Sequence, residues 1–194
     1  MSRHFAALTY TPSVRASQRR YGGRELGALL GEQPNRAVAA FSPRECEFIA
    51  ARDSFYLATV SETGWPHVQH RGGPAGFLRV LDETTLAFAD FSGNRQYVSV
   101  GNLAHNDRVA LILMDYPNQR RLKILGQVEV IDMPTVDAEL LAKMQPLSRE
   151  VERILRIRVA AFDWNCSRHI TPRFTASEWQ AHCSSPTETS ITKE

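Results

Sequence analysis

The stretch of this chain richest in binding chemistry is Asp90-Phe-Ser-Gly-Asn-Arg-Gln96. It follows a β-rich run, Thr85 to Asp90, and leads into a segment whose pattern predicts a helix from Arg95 to about His105. A helix N-terminus presents unpaired N–H groups and the positive end of the helix dipole, which together suit a phosphate. Ser92 and Asn94 can donate to phosphate oxygens, Gly93 lets the backbone come close, and Arg95 offers a guanidinium that grips two oxygens at once. The same residues also fit an ordinary helix cap beside a solvated arginine, and alone they leave the choice open.

Two further runs have similar potential. In His67-Val-Gln-His-Arg-Gly-Gly73, strand alternation puts Gln69 and Arg71 on one face, with Val68 and His70 on the other. Gly72 and Gly73 then remove side chains, so that backbone can lie against a flat ligand. In Gln119-Arg-Arg-Leu-Lys-Ile-Leu-Gly126, Arg121 and Lys123 share a face opposite Leu122 and Ile124. They can hold an anion or form the wet face of a sheet. No metal site is expected: His67 and His70 point to opposite strand faces, and Cys166 with His169 lacks the second ligand pair of a zinc site. There is no GxSxG elbow, and no residue stands out as a catalytic acid or base.

The elements that must carry these residues can be read in order. Ser42-Pro-Arg-Glu45 is a capping box with proline at the first helical position, predicting a helix from Pro43 to about Arg52. Strands are expected over Ser54 to Val60, Trp65 to Arg71, Phe77 to Leu81 and Thr85 to Asp90, then Arg108 to Asp115, Arg121 to Ile131 and Arg153 to Trp164. Helices are expected over Thr135 to Met144 and Thr175 to His182, with shorter ones near Ser13 to Arg20 and Glu25 to Leu30. This order predicts a mainly β or α+β domain, a barrel-like antiparallel sheet with a few peripheral helices. Residues 1–40 read as a partly helical extension, 41–183 as the domain, and 184–194 as a polar tail.

A length of 194 residues suits one domain with appended ends. The net charge of +2 argues against general nucleic-acid binding but leaves a small anionic ligand open. Three separated cysteines without a CxxC pair make no disulfide framework. No apolar run reaches the length of a membrane span, and the N-terminus lacks the apolar core of a signal peptide, so a cytoplasmic setting is expected.

Taken in sequence, Phe55-Tyr-Leu-Ala-Thr-Val-Ser-Glu-Thr-Gly-Trp-Pro66, Gln69-His-Arg-Gly-Gly-Pro-Ala-Gly-Phe77, Phe91-Ser-Gly-Asn-Arg-Gln96, Asn106-Asp-Arg-Val109 and Asp115 to Gly126 resemble the ordered motifs of the pyridoxamine-phosphate-oxidase-like flavoproteins. Phe162-Asp-Trp-Asn-Cys166 through His169-Ile-Thr-Pro-Arg-Phe174 is similar to the closing segment of their flavin-nucleotide-binding branch. The resemblance runs from about Ser42 to Phe174. It implies an FMN-binding split β-barrel, a homodimer with its two cofactor sites at the subunit interface. By position it implies that Gln69, His70, Arg71 and Gly72 lie beside the isoalloxazine and ribityl chain, with Asp90 and Phe91 following the cofactor. Ser92, Asn94, Arg95 and Gln96 would take the phosphate, Arg121 and Lys123 would reach in from the partner subunit, and Trp164 would sit near the ring. Arg71, Arg121 and Lys123 are then the candidates for stabilising negative charge on a reduced ring.

The implied activity is that of an FMN-dependent oxidoreductase acting on a small molecule, with a donor such as NAD(P)H. A non-catalytic flavin carrier or sensor, and a haem-binding relative using His67, His70 or His169, are the alternatives. One departure separates the chain from the oxidases proper. They close on an Arg-Leu-x-Pro segment that grips the substrate phosphate, whereas this chain has His169-Ile-Thr-Pro-Arg-Phe174, and Gln96 stands where a second cation is frequent. Vitamin B6 oxidation therefore recedes, and the substrate stays unnamed.

Overall fold

The computed structural model of the chain describes residues 2–23, 40–147, 150–164 and 167–184. The helix expected near Glu25 to Leu30 and all but the first residue of the tail expected over 184–194 lie outside the described residues. Helices α1 (Arg3–Thr9) and α2 (Pro12–Arg20) come first, each started by a hydroxyl N-cap, Ser2 and Thr11. Helix α3 (Pro43–Ala50) carries the expected capping box, with the Ser42 N–H donating to the Glu45 carboxylate at 3.0 Å.

Seven strands follow: β1 (Ser54–Val60), β2 (Pro66–Gly72), β3 (Arg79–Asp82), β4 (Thr85–Phe91), β5 (Arg108–Asp115), β6 (Arg120–Asp132) and β7 (Val151–Trp164). Between them lie α4 (Val98–His105) and α5 (Ala138–Met144), and α6 (Ala176–Ser184) comes last. The expected helix over Thr135 to Met144 is shorter at its start: a single 3-10 turn, Met133–Thr135, precedes it. Asp137 then accepts the Leu140 N–H at 2.8 Å and caps α5 afresh.

All strand pairings are antiparallel, in the order β2-β1-β5-β6-β7-β4-β3. Strands β1 and β4 have three strands between them in that order, yet the Phe55 and Phe88 rings meet edge-to-face at 5.2 Å. The sheet therefore curls on itself into an open barrel, as expected. Alternation sends Leu122, Ile124 and Val128 of β6 inward with Val109, Leu111 and Leu113 of β5. A bulge between Leu125 and Gly126 sharpens the bend.

Two helices fix the barrel's contents. Phe48 and Ile49 of α3 enter the core, and Leu103 of α4 joins it, while the buried Asn102 Nδ2 donates to Thr59 Oγ1 at 2.9 Å. That bond locks α4 against β1, and so places the loop that precedes α4. A second apolar cluster gathers Leu140 and Met144 of α5 over Ala87 and Ile154. The first described turn of the N-terminal extension is anchored on the sheet. Phe5 and Ala6 of α1 are buried, α1 packs along β7, and the Ser2 N–H donates to Asp163 Oδ1 at 2.8 Å.

Candidate functional site

Where the curled sheet brings β2 toward the end of β4, a cavity of about 450 Å³ opens. The inward face of β2 supplies His67, Gln69 and Arg71, and the end of β4 supplies Asp90 and Phe91. Asn94, Arg95 and Gln96 of the following loop form another wall, with the start of α4 and Arg153 of β7 closing it. Among the lining residues, three guanidiniums face one carboxylate, an excess that attracts an anion.

Asp90 is the centre of this charge. It is buried at 6% exposure, and each of its oxygens takes a different arginine. Oδ1 pairs with Arg71 Nη1, and Oδ2 accepts from Arg153 Nη1 at 2.8 Å. Arg153 also donates to Glu152 Oε2 at 2.8 Å and lies 5.1 Å over the Tyr97 ring. Burial disfavours the Arg153 cation, but the hydrogen bonds to Asp90 and Glu152 outweigh it and hold its pKa above the ordinary value. Arg71 packs 5.6 Å over Phe88, and its buried Nε–H has no hydrogen-bond partner among the described residues. A buried donor without a partner is costly, and an anion or carbonyl in the cavity would remove that cost. Gln69 is held by Ser99, whose hydroxyl donates to Oε1 at 2.8 Å.

The loop differs from the helix start expected at Arg95. Arg95 and Tyr97 have φ of 56° and 50°, in the left-handed region, and α4 begins only at Val98. Asn94 Oδ1 accepts the Gln96 N–H at 3.2 Å, a local bond that competes with helix formation. The Asn94 and Arg95 side chains therefore reach the cavity from a turn, and Val98 to Val100 bring the first turn of the helix to its edge.

Of the residues singled out from the sequence, Gln69, Arg71, Asp90, Phe91, Asn94, Arg95 and Gln96 come together around this cavity. Ser92 lies in the loop with its N–H donating to the Glu150 carbonyl at 2.8 Å. His70 is on the outer face of β2, 5.6 Å from the Tyr56 ring, and Gly72 ends the strand beside it. Arg121 and Lys123 lie on the outer face of β6, where Lys123 Nζ sits 4.5 Å over the Phe5 ring. Trp164 ends β7, flanked by Arg44 at 4.4 Å and Arg120 at 5.6 Å, and its indole N–H donates to Glu45 Oε1 at 2.6 Å. His67, singled out only as a possible haem ligand, also lines the cavity, and so do Tyr97, Ser99 and Arg153, which the sequence does not mark. The face rule that grouped Gln69 with Arg71 also covers His67. Nothing local marks Arg153, which stands opposite Asp90 only because β7 pairs with β4 in that register.

A slightly larger hollow of about 520 Å³ lies between α5 and the outer faces of β6 and β7. Two of its cations meet carboxylates, Arg156 with Glu129 at 2.5 Å and Lys143 with Glu139 at 2.8 Å, while Arg158 donates to the neutral Gln127 amide oxygen at 2.9 Å. It has no comparable cationic excess. Among the described residues, no group of three side chains is placed to hold a metal, and no helix is long and apolar enough to cross a membrane.

Comparison with known proteins agrees with this fold. A structure described as a pyridoxamine 5'-phosphate oxidase from Lactobacillus delbrueckii superposes with a TM-score of 0.52 at 18% identity, over 66% of this chain and 97% of that one. HupZ from Group A Streptococcus does so with a TM-score of 0.52 at 14% identity, over 69% and 99%. At such identities the likeness is one of fold. No curated protein matches significantly. The family model described as pyridoxamine 5'-phosphate oxidase matches residues 41–165, from the residue before the capping box to the end of the last strand. With that span covering the sheet and every cavity residue, the chain belongs to the pyridoxamine 5'-phosphate oxidase family.

Proposed function

We propose that this protein binds FMN with the cofactor's phosphate in the cavity between β2 and β4, and acts as an oxidoreductase on a small molecule. The observation that carries the reading is the convergence of Arg71 and Arg95 on one cavity where Arg71 holds a buried donor with no partner among the described residues. A flavin phosphate brings nearly two negative charges and several acceptor oxygens, and this donor set fits it. Arg71 and Arg95 would hold the phosphate, Gln69 and the exposed edge of Phe91 would align the rest of the cofactor, and Asn94 and Gln96 would add amide donors.

FMN, when bound, supplies hydride and electron transfer. This chain's part is to bind and orient the cofactor and to leave a ring face open to a donor such as NAD(P)H. A homodimer suits the outer face of the sheet. There His70, Tyr56, Ile112 and Lys123 form one cross-strand row, beside Val68, Ala58 and Ala110 in the next. Val68 is 62% exposed and Tyr56 37%, so an apolar strip awaits cover. Arg121, whose Nε–H is buried and unpartnered among the described residues, lies at its edge, where a partner subunit's cofactor would be within reach.

The test is the visible spectrum of the purified protein with added flavin, before and after NADPH. The expected result is tight binding of FMN, weaker binding of riboflavin, and bleaching by NADPH with recovery in air. Equal affinity for FMN and riboflavin would sink the phosphate assignment. Tight FMN binding without reduction by any nicotinamide would turn the reading toward a flavin carrier.

A further inference from the structure

Three groups form a chain of contacts from the cavity to the body of the sheet. Arg71 on β2 meets one oxygen of Asp90 on β4, and Arg153 on β7 meets the other. Strands β2 and β4 are not neighbours in the sheet: β2 is one edge, and β4 is next to the opposite edge. The Arg71–Asp90 pair therefore spans the open seam of the barrel. Asp90 and Arg153 are direct cross-strand partners, and Arg153 is braced in turn by Glu152 and by the Tyr97 ring.

This bracing explains an otherwise unfavourable choice. A carboxylate beside an anion site repels the anion, and both Asp90 oxygens are already occupied by guanidiniums. What Asp90 does instead is take the Nη1 end of Arg71, which leaves the buried Nε–H as a donor without a partner among the described residues. Arg153 neutralises the second oxygen of Asp90 and fixes its plane. A guanidinium is a rigid fork, so holding one end sets the direction of the rest.

We infer that Arg153 is a positioning residue for the anion site: through Asp90 it sets the orientation of Arg71 across the barrel seam, and so makes the site selective for a phosphate-bearing ligand over its dephosphorylated form. The inference rests on the flavin reading above for the identity of that ligand. Arg153 acts through Asp90, and its guanidinium is engaged by Asp90, Glu152 and Tyr97. Its contribution therefore falls on the phosphate and not on the ring.

The test compares FMN and riboflavin affinity, by flavin fluorescence titration, in the wild-type protein and in Arg153→Gln and Arg153→Lys. The expected result is that Arg153→Gln weakens FMN binding by about tenfold and riboflavin binding by less than about twofold. Arg153→Lys, which keeps a charge but not the fork, should restore part of the FMN affinity. A parallel loss of both flavins, or no loss of either, overturns the inference. If Arg153→Gln does not fold, Arg153→Lys and Asp90→Asn carry the same comparison, each expected to narrow the FMN-to-riboflavin ratio. If the wild-type protein binds neither flavin, the flavin reading fails by itself. Calorimetric titration with inorganic pyrophosphate then decides the positioning role, and equal affinity in wild type and variant rejects it.

Discussion

The Glu45 carboxylate accepts the Ser42 N–H at 3.0 Å with one oxygen and the Trp164 indole N–H at 2.6 Å with the other. The residue is buried at 6% exposure, and burial alone would raise its pKa. The Ser42 and Trp164 hydrogen bonds win and hold it below the ordinary value of 4.5. One side chain thus starts α3 and ties it to the end of β7. Replacing it by an amide turns one acceptor into a donor that faces donors, so Glu45→Gln should lower stability by about 1–3 kcal/mol in chemical denaturation. Because the folded-state pKa is depressed, this contribution is whole above pH 4.5 and is lost as pH falls through the lower folded value. The gap between wild type and Glu45→Gln should therefore narrow on acidification, and a gap that widens would contradict the assignment. Trp164, held in this way between two arginines, has a full structural occupation on its own chain.

At the level of elements, the β6–β7 pair is the longest in the sheet and bends at one glycine. A Cβ on Gly126 would come within 2.7 Å of Ile157 Cγ2 and 2.8 Å of the Arg158 carbonyl oxygen. The second contact is backbone and cannot rotate away. Gly126→Ala should therefore cost about 1–3 kcal/mol through overpacking, seen as a melting temperature several degrees lower. An unchanged melting temperature would show that the bulge tolerates a side chain. The bend matters for the site because it lets β7 reach β4 with Arg153 opposite Asp90.

For the molecule as a whole, the open barrel separates two uses of one sheet. Its inner side packs the core and, at the seam, lines the arginine-rich cavity, while its outer side leaves the strip around Val68 and Tyr56 uncovered. Val68 touches solvent on the single chain, so Val68→Glu should leave the fold intact and prevent a second copy from docking. Light scattering is expected to give a dimer for the wild-type protein and a monomer for the variant. A wild-type monomer would remove the dimer reading, and a dimeric variant would move the interface elsewhere.

What the sequence determined alone was whatever depends on near neighbours along the chain. The capping box at Ser42, the alternation that sets Gln69 and Arg71 apart from His70, and the strand runs from Ser54 to Trp164 all follow from periods of two or about four residues. The ordered motifs that mark the family are local in the same sense. The helix starts at Val98 and not at Arg95 because Asn94 closes a competing local bond and Arg95 and Tyr97 adopt left-handed backbone, which residue type does not announce. Tertiary structure decided the rest. Arg153 lies 63 residues from Asp90, and Arg71 lies across the seam from it, so their meeting depends on strand order and register. The inner or outer position of His67, His70 and Lys123 also waits on which face the sheet closes around. Those outcomes come from burying one face of a curled sheet, a property of all seven strands together and of no single segment.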